Sequence, residues 1–548
     1  MIEMKTVGRK KFLTLDGRPF PLLAGEVHNS DSSSPSYMEH IWDIADRFGM
    51  NALLLPVAWE TVEPEEGSFD FSLPRALITQ ARERQMRIVF LWFGSWKNAE
   101  CMYAPGWVKQ DLKRFPRAQI EKGRNKAGRQ ISPTLPVKMP YTTLSYLGME
   151  TARCDARAFA AFMDFLKSFD GQEQTVVAVQ VENETGLLGA AREVSDEADA
   201  AFAAPVPPAF AAHMKAHTET MVEDIRAAVE QGADSGSWTE VFGAAAEEIF
   251  SAYHVASFVE TVASAGRAVY DLPLAVNCWL DKGGAPGSYP TGGPVSRVHE
   301  VWDFCAPSIH VYCPDIYVPQ FKAVCDEYTR RGGALFIPES ATHSYCAPRL
   351  LYTIGHYHAA CYSPFGFDDI GKPFTAVQGY LFGMDVSDPA LKTPQNAEEY
   401  QTIGQLLRNM LPLISEAYGT DRLQALSAET DPVIPDPSGN PFLAKQPAMD
   451  FGTFRVTASF QGPTNPRTDG ACLCLAVSDT ECYLVGNACG VTLTSLVPDQ
   501  PNLDLLRTEE GTFDRGRWVP GRRLNGDETA RISFERPGAL KISFFTYA

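Results

Sequence analysis

Apolar residues in this chain fall in short runs separated by longer amphipathic stretches, an alternation that starts at Phe20. The runs Pro21–His28, Ala52–Ala58, Ile88–Phe93, Val176–Val181, Leu274–Trp279, Ser308–Tyr312, Ala334–Pro338 and Ala360–Phe365 are bounded by polar residues, glycine or proline and predict strands. Helical periodicity lies between them, at Tyr37–Phe48, Leu77–Gln85, Ala156–Phe169 and Val255–Ala265. Strand and helix in regular alternation predict an α/β fold, a (β/α)8 TIM barrel with its active site at the C-terminal strand ends. A doubly wound sheet is the alternative, but no glycine-rich phosphate turn follows the first strand.

Ala397–Ala417 reads as the closing helix. After Gly419 the pattern changes to short alternating runs (Phe454–Phe460, Ala471–Val477, Leu540–Thr546) between turns rich in proline, glycine and aspartate. This predicts a barrel over residues 1–418 and a C-terminal β-sandwich over 419–548. Two long insertions interrupt the barrel repeat. Lys109–Glu150 follows the third strand and is basic and proline-containing; Leu187–Glu248 follows the fourth, is rich in alanine and acidic residues, and is expected to be partly helical. Both fall on βα loops, the face where loop variation sets ligand choice.

Two of the strand runs end in unusual chemistry. Val176–Val181 leads into Glu182, Asn183 and Glu184 before Gly186, and GALFIPES at 333–340 leads into Glu339. Carboxylates are costly at the end of a buried strand unless a cleft uses them. A pair at two parallel strand ends is what glycoside hydrolysis requires, one as proton donor and one facing the sugar carbon. Glu184 is the candidate general acid, since partial burial would keep it protonated near neutrality. Asn183 could offer its amide to the sugar 2-hydroxyl. Glu339 is the candidate nucleophile, with Tyr312 or His310 as its supports. Trp59, Trp92, Trp96, Trp279 and Trp302 lie near strand ends and could stack on a pyranose, Trp279 being favoured beside Asn277. His28, Asn29 and His310 could bond hydroxyls. For each of these the plain alternative is a satisfied core residue; for the glutamates it is a helix-capping carboxylate, and for Glu182 a buried ion pair.

Composition narrows the partners. Over 548 residues the net charge is −19, and no basic footprint for nucleic acid stands out. No uninterrupted apolar span of about 20 residues predicts a membrane helix. The N-terminus lacks the apolar core of a secretory leader, which leaves the compartment open between cytoplasm and, after removal of a leader, periplasm. Twelve cysteines without C-x-x-C pairs read as structural thiols. No His/Cys spacing resembles a zinc site, so no metal or cofactor is expected. A homodimer is compatible with all of this.

Several segments together resemble glycoside hydrolase family 35, the β-galactosidases. Gln180–Gly186, QVENETG, is similar to the family's QVENEYG signature, in which the Glu after the Asn is the acid/base; this falls on Glu184. Asn98-Ala99-Glu100 resembles the segment whose Ala backbone and Glu hold galactose hydroxyls. Val57-Ala58-Trp59, Glu63-Pro64 and Gly67-Ser68-Phe69-Asp70-Phe71 look like the family's V-x-W, EP and G-x-F-D-F block, and Glu339 stands where the nucleophile is expected. The resemblance spans residues 20 to 370 and suits a bacterial branch with a small β-domain after the barrel. It implies a retaining exo-β-galactosidase, with plant-wall galactosides such as xyloglucan side chains as substrates.

There are departures. Pro56 stands where the family has a sugar-binding Tyr, Glu60 replaces an Asn, and the GGTNFG segment is reduced to Ser363-Pro364-Phe365-Gly366-Phe367-Asp368. Tyr312 or Tyr362 is the expected source of the missing phenol. Three alternatives stay open: the same mechanism on a β-glucoside, β-xyloside or glucosaminide, an inverting hydrolase, and a carbohydrate-binding barrel without turnover.

Overall fold

The computed structural model describes residues 2–8, 10–120, 143–375, 379, 393–431, 433–438, 444–460, 468–530 and 532–548. Part of the insertion at 109–150 therefore lies outside the described residues.

Eight parallel strands form one sheet: β1 (Leu22–Glu26), β2 (Ala52–Ala58), β3 (Arg87–Phe93), β4 (Val176–Val181), β5 (Leu274–Trp279), β6 (Val311–Asp315), β7 (Phe336–Ile337) and β8 (Cys361–Tyr362). Their order, β7-β8-β1-β2-β3-β4-β5-β6, brings the two sheet ends together. The seam closes at one point, where Ile316 bridges Ser340 and its N–H donates to the Glu339 carbonyl at 2.9 Å. The expected TIM barrel is thus present, thinly paired on the side that carries Glu339. Helices α1 (Pro35–Arg47), α2 (Ser72–Glu83), α3 (Met149–Asp170), α4 (Ala246–Val269), α5 (His299–Cys305), α6 (Phe321–Thr329), α7 (Cys346–Tyr352) and α8 (Ala397–Ala417) belong to its outer layer. The strands are buried along their length, as expected where helices cover one face and the barrel core fills the other.

The sixth strand differs from the expectation. The apolar run Ser308–Tyr312 ends before Pro314, but the ladder to β5 continues through that proline, with Cys278 opposite Pro314 and Trp279 opposite Asp315. Proline's fixed φ is compatible with extended backbone and costs only one ladder donor. The strand end, where site residues sit, moves from Tyr312 to Asp315.

An N-terminal antiparallel sheet (Ile2–Val7, Lys10–Leu15, Arg18–Pro19) packs at the other end of the barrel, where Lys11 donates to the His310 carbonyl at 3.1 Å. Beyond α8 the chain forms two antiparallel sheets, one of six strands and one of four, around a core that includes Phe454, Val456, Cys474, Leu484, Ile542 and Phe544. Arg349 on α7, 1% exposed, pairs with Glu429 at 2.5 Å and ties the barrel to this region. The insertion after β4 folds as the short helices Asp196–Ala203, Pro208–Ala216, Glu223–Gln231 and Trp238–Phe242. Among the described residues no helix is long and apolar enough to cross a membrane.

Candidate active site

The segment after β4 turns sharply because Glu182 and Glu184 both adopt left-handed backbone, φ 62° and 48°. Such conformations cost on the order of 1 kcal/mol or more and persist only where the surroundings impose them. Here they do. The Glu182 carboxylate accepts the Trp96 N–H at 2.8 Å and is hydrogen-bonded to Asp155, which in turn accepts Trp92 Nε1 at 2.8 Å and Ser95 Oγ at 2.6 Å. The N–H of Glu184 donates to Asn277 Oδ1 at 3.0 Å, and its carbonyl accepts the Ala99 N–H at 3.0 Å. Gly186, at φ 127°, has no room for a side chain: a Cβ would lie 2.6 Å from the Pro290 carbonyl oxygen. Glu182 is therefore half of a carboxyl–carboxyl pair that props the turn, rather than half of an ion pair.

Across the mouth stands Glu339, 6% exposed. Its Oε2 accepts Tyr317 Oη at 2.7 Å, and its Oε1 makes no hydrogen bond among the described residues. Glu184, Asp315 and Glu339 each bring a carboxylate oxygen within 4.8 Å of the others. Asn277 Nδ2 donates to Asp315 at 3.0 Å, and Asp315 is hydrogen-bonded to Glu184. Lys97, fully enclosed, donates to Asn183 Oδ1 at 3.0 Å. That leaves the Asn183 Nδ2 group without a partner among the described residues.

The charges explain one another. Burial and the nearby Glu339 carboxylate push Glu184 up to about 7, with Lys97 and the Asp315 hydrogen bond pulling the other way. Burial, then Glu339 and Glu184, raise Asp315 well above the usual carboxylate range. Lys97 is itself raised: burial opposes its charge, but Glu339, Glu184, Glu26 and Asp315 outweigh that. Like-charged carboxyls in one enclosed site cannot all ionise, and the outcome is a proton on Glu184 near neutrality. An oxygen-rich triad can hold a hard divalent cation. Here the Lys97 ammonium already supplies positive charge to the same carboxyls, so the residues fit acid–base chemistry better than a metal cage.

Of the other expected site residues, some reach the mouth and some do not. Asn183, Asn98, Glu100, His28 and Trp279 lie at C-terminal strand ends or the loops leaving them. Trp279 follows Asn277 by two residues, hence on the same strand face, and stays half-buried. His28 bonds Asp369 through Nε2 at 3.0 Å on the rim. Ala99 is a correction: its N–H is committed to the Glu184 carbonyl and its carbonyl accepts Thr143 Oγ1 at 2.5 Å, so its backbone holds the loop.

Tyr312, His310, Tyr362 and Trp59 are corrections too. Tyr312 faces outward, stacked on His299 with its hydroxyl on Asp303 at 2.9 Å. His310 sits at the opposite end of the barrel, its Nδ1 accepting the Leu274 N–H at 3.0 Å. Tyr362 is fully buried and accepts a hydrogen bond from Ser340 at 3.1 Å. Trp59 is fully buried edge-on against Trp107, its Nε1 on Glu63 at 2.8 Å. Glu63 also accepts from Gly67 N–H and Arg157, so the W…EP…G block is a structural brace. Trp92, Trp96 and Trp302 are likewise fully buried, and of the five expected tryptophans only Trp279 keeps part of its surface exposed.

Sequence reasoning missed Glu26, Lys97, Asp315 and Tyr317. Glu26 was visible as a carboxylate inside the apolar run LLAGEV; Asp315 and Tyr317 were hidden by ending the sixth strand three residues early. Elsewhere on the surface, a groove of about 640 Å³ along α2, lined by Phe71, Arg75 and Gln80 among others, is not lined by a paired carboxylate.

Residues 12–119 match the sequence profile described as Glycosyl hydrolases family 35, and residues 400–535 match one described as a Domain of unknown function (DUF5597). The resemblance to family 35 holds over those residues of the barrel. The family match ends before Glu184 and Glu339, so their roles rest on the geometry above. No curated protein matches the chain. Among solved structures it is similar to the β-galactosidase of the psychrophilic Marinomonas ef1, with 14% identity over 72% of this chain and 60% of that one and a TM-score of 0.45. The β-galactosidase of Bacillus circulans sp. alkalophilus is 12% identical over 63% of this chain and 50% of its own, with a TM-score of 0.40. The exo-β-1,4-mannosidase Op5Man5 of Opitutaceae bacterium strain TAV5 is 15% identical over 74% and 62%, with a TM-score of 0.39. The chain thus spans between 50% and 62% of the length of those enzymes.

Proposed function

We propose that this protein is a glycoside hydrolase, a retaining exo-β-galactosidase that removes terminal β-galactosyl residues, xyloglucan side chains being one source. The observation that carries the reading is the approach of Glu184 and Glu339 to within 4.8 Å, oxygen to oxygen, across the barrel mouth. Carboxyls about 5–5.5 Å apart leave no space for the water an inverting enzyme places between groups about 6.5–9.5 Å apart. Glu339 attacks the anomeric carbon through Oε1 while Tyr317 holds Oε2; the anomeric C–O bond breaks and Glu184 gives its proton to the leaving oxygen. Glu184 then takes a proton from water, which cleaves the glycosyl–Glu339 ester and returns the carboxylate. Asn183 Nδ2 is free to donate to the 2-hydroxyl, and Trp279 offers the stacking face.

An activated 2-fluoro-galactoside should leave its label on the peptide containing Glu339, read by mass spectrometry. A label elsewhere, or an inverted first-formed anomer by NMR, would overturn the mechanism. The committed backbone of Ala99 favours a second reading, the same mechanism on a β-glucoside, β-xyloside or glucosaminide. A nitrophenyl glycoside panel decides between them.

A further inference from the structure

The carboxyl of Glu26 has no place in the two-glutamate mechanism, yet it belongs to the same site. Glu26 is the last residue of β1. A Cβ on Gly25 would meet the Phe367 ring and Met50 of the outer layer, so by strand alternation Glu26 faces the barrel interior. Its electrostatic neighbours there are Glu339, Lys97 and Glu184. Its backbone is pinned on both sides, the N–H on the Pro364 carbonyl at 2.9 Å and the carbonyl under the Gly366 N–H at 2.8 Å. Gly366 is itself confined, since at φ 59° a Cβ would strike the His28 ring at 2.5 Å.

So placed, Glu26 is wholly buried, and neither carboxyl oxygen makes a hydrogen bond among the described residues. Burying both oxygens of a carboxyl unpaired is among the more expensive things a core can do. The orphaned atoms at this end of the barrel include Glu339 Oε1, Asn183 Nδ2 and Asp315 Oδ1. These three are groups that a seated sugar would satisfy, through its anomeric carbon or its hydroxyls. A carboxyl with two free oxygens suits two adjacent hydroxyls.

We propose that Glu26 is a substrate-positioning residue, its carboxyl bridging two neighbouring ring hydroxyls of the sugar that is cleaved. The proposal rests on the glycosidase reading and adds to it a determinant of which sugar is accepted. A site built to bond a hydroxyl rejects the analogue lacking it far more strongly than an apolar pocket would.

The test is a cycle between enzyme and substrate. Wild type, Glu26→Gln and Glu26→Ala are compared on a nitrophenyl galactoside and on its 3-, 4- and 6-deoxy analogues, with thermal unfolding as a check on folding. In wild type, removing a hydroxyl that Glu26 holds should cost roughly 30- to 100-fold in kcat/KM. In the variants the parent substrate should lose a similar factor, and the same deoxygenation should then cost no more than a few-fold. If every deoxygenation keeps its full penalty in the variants, or the parent substrate stays within about threefold of wild type, Glu26 touches no hydroxyl and the proposal falls. Should Glu26→Ala not fold, the isosteric Glu26→Gln carries the cycle alone. If the wild type prefers another glycoside, the cycle is run on that sugar, so failure of the galactoside reading is recorded separately.

Discussion

The two ends of the barrel are built from the same buried strands and treat polar atoms in opposite ways. At the N-terminal end, Asn51 accepts from Leu23 N–H and donates to the Pro21 carbonyl, both at 2.9 Å. Asp170 accepts Arg82 at 2.6 Å and the Val176 N–H at 2.7 Å, and His310 accepts the Leu274 N–H. At the C-terminal end both oxygens of Glu26, one oxygen each of Glu339 and Asp315, and the amide nitrogen of Asn183 find no partner among the described residues. Asn51, Asp170, Glu26, Asn183, Asp315 and Glu339 are all buried, yet only the first two are fully satisfied. Polar groups that complete their hydrogen bonds hold the fold, and those left over in a shaped cleft are poised for a ligand.

The sharpest way to test this contrast is to exchange one group at each end. Glu339→Gln should lower kcat/KM by on the order of 10⁴ or more while thermal unfolding is little changed. Asp170→Ala should do the reverse, costing about 3 kcal/mol in urea unfolding because the buried part of Arg82 and a strand N–H lose their acceptor. Folded Asp170→Ala that no longer turns over would break the comparison.

A pH profile sharpens it next. Glu184, held up at about 7, must be protonated to act as the acid, so kcat/KM on a poor leaving group should fall about tenfold per pH unit above that value. Its raised value also means the folded chain grips this proton more tightly than the unfolded chain. That stabilisation is present below the ordinary carboxylate range and lost as pH rises through about 7. Glu184→Gln should therefore raise Tm relative to wild type at pH 8 and leave it unchanged at pH 4, while abolishing the alkaline limb.

Smaller still, Tyr317→Phe removes one hydrogen bond to Glu339 and should cost about 10- to 100-fold in kcat/KM. Tyr312→Phe, on the outer face, should change it by no more than about twofold.

Glu182, Asn183 and Glu184 were legible because a barrel strand buried on both faces is written as a continuous apolar run, and charge at its end stands out. The phenol was not. Tyr312 and Tyr317 differ by five positions along one strand and the loop after it, and only the ladder running through Pro314 shows which end meets Glu339. The tryptophans misled for a related reason. Nearness to a strand end does not say which way an indole points, and Trp59, Trp92, Trp96 and Trp302 all point into packing.

By itself, then, the sequence determined the alternation of strands and helices, the change of pattern after Gly419, and the glutamates that close the fourth and seventh strand runs. These are local properties, carried by apolar periodicity and by the cost of burying charge. Only the closed barrel decided that Glu184, Asp315 and Glu339 share one site around Lys97, that Tyr317 rather than Tyr312 serves Glu339, and that Glu26 joins them. A one-residue change of register turns a side chain from one face of a strand to the other, and register is fixed by pairing between segments far apart in the chain.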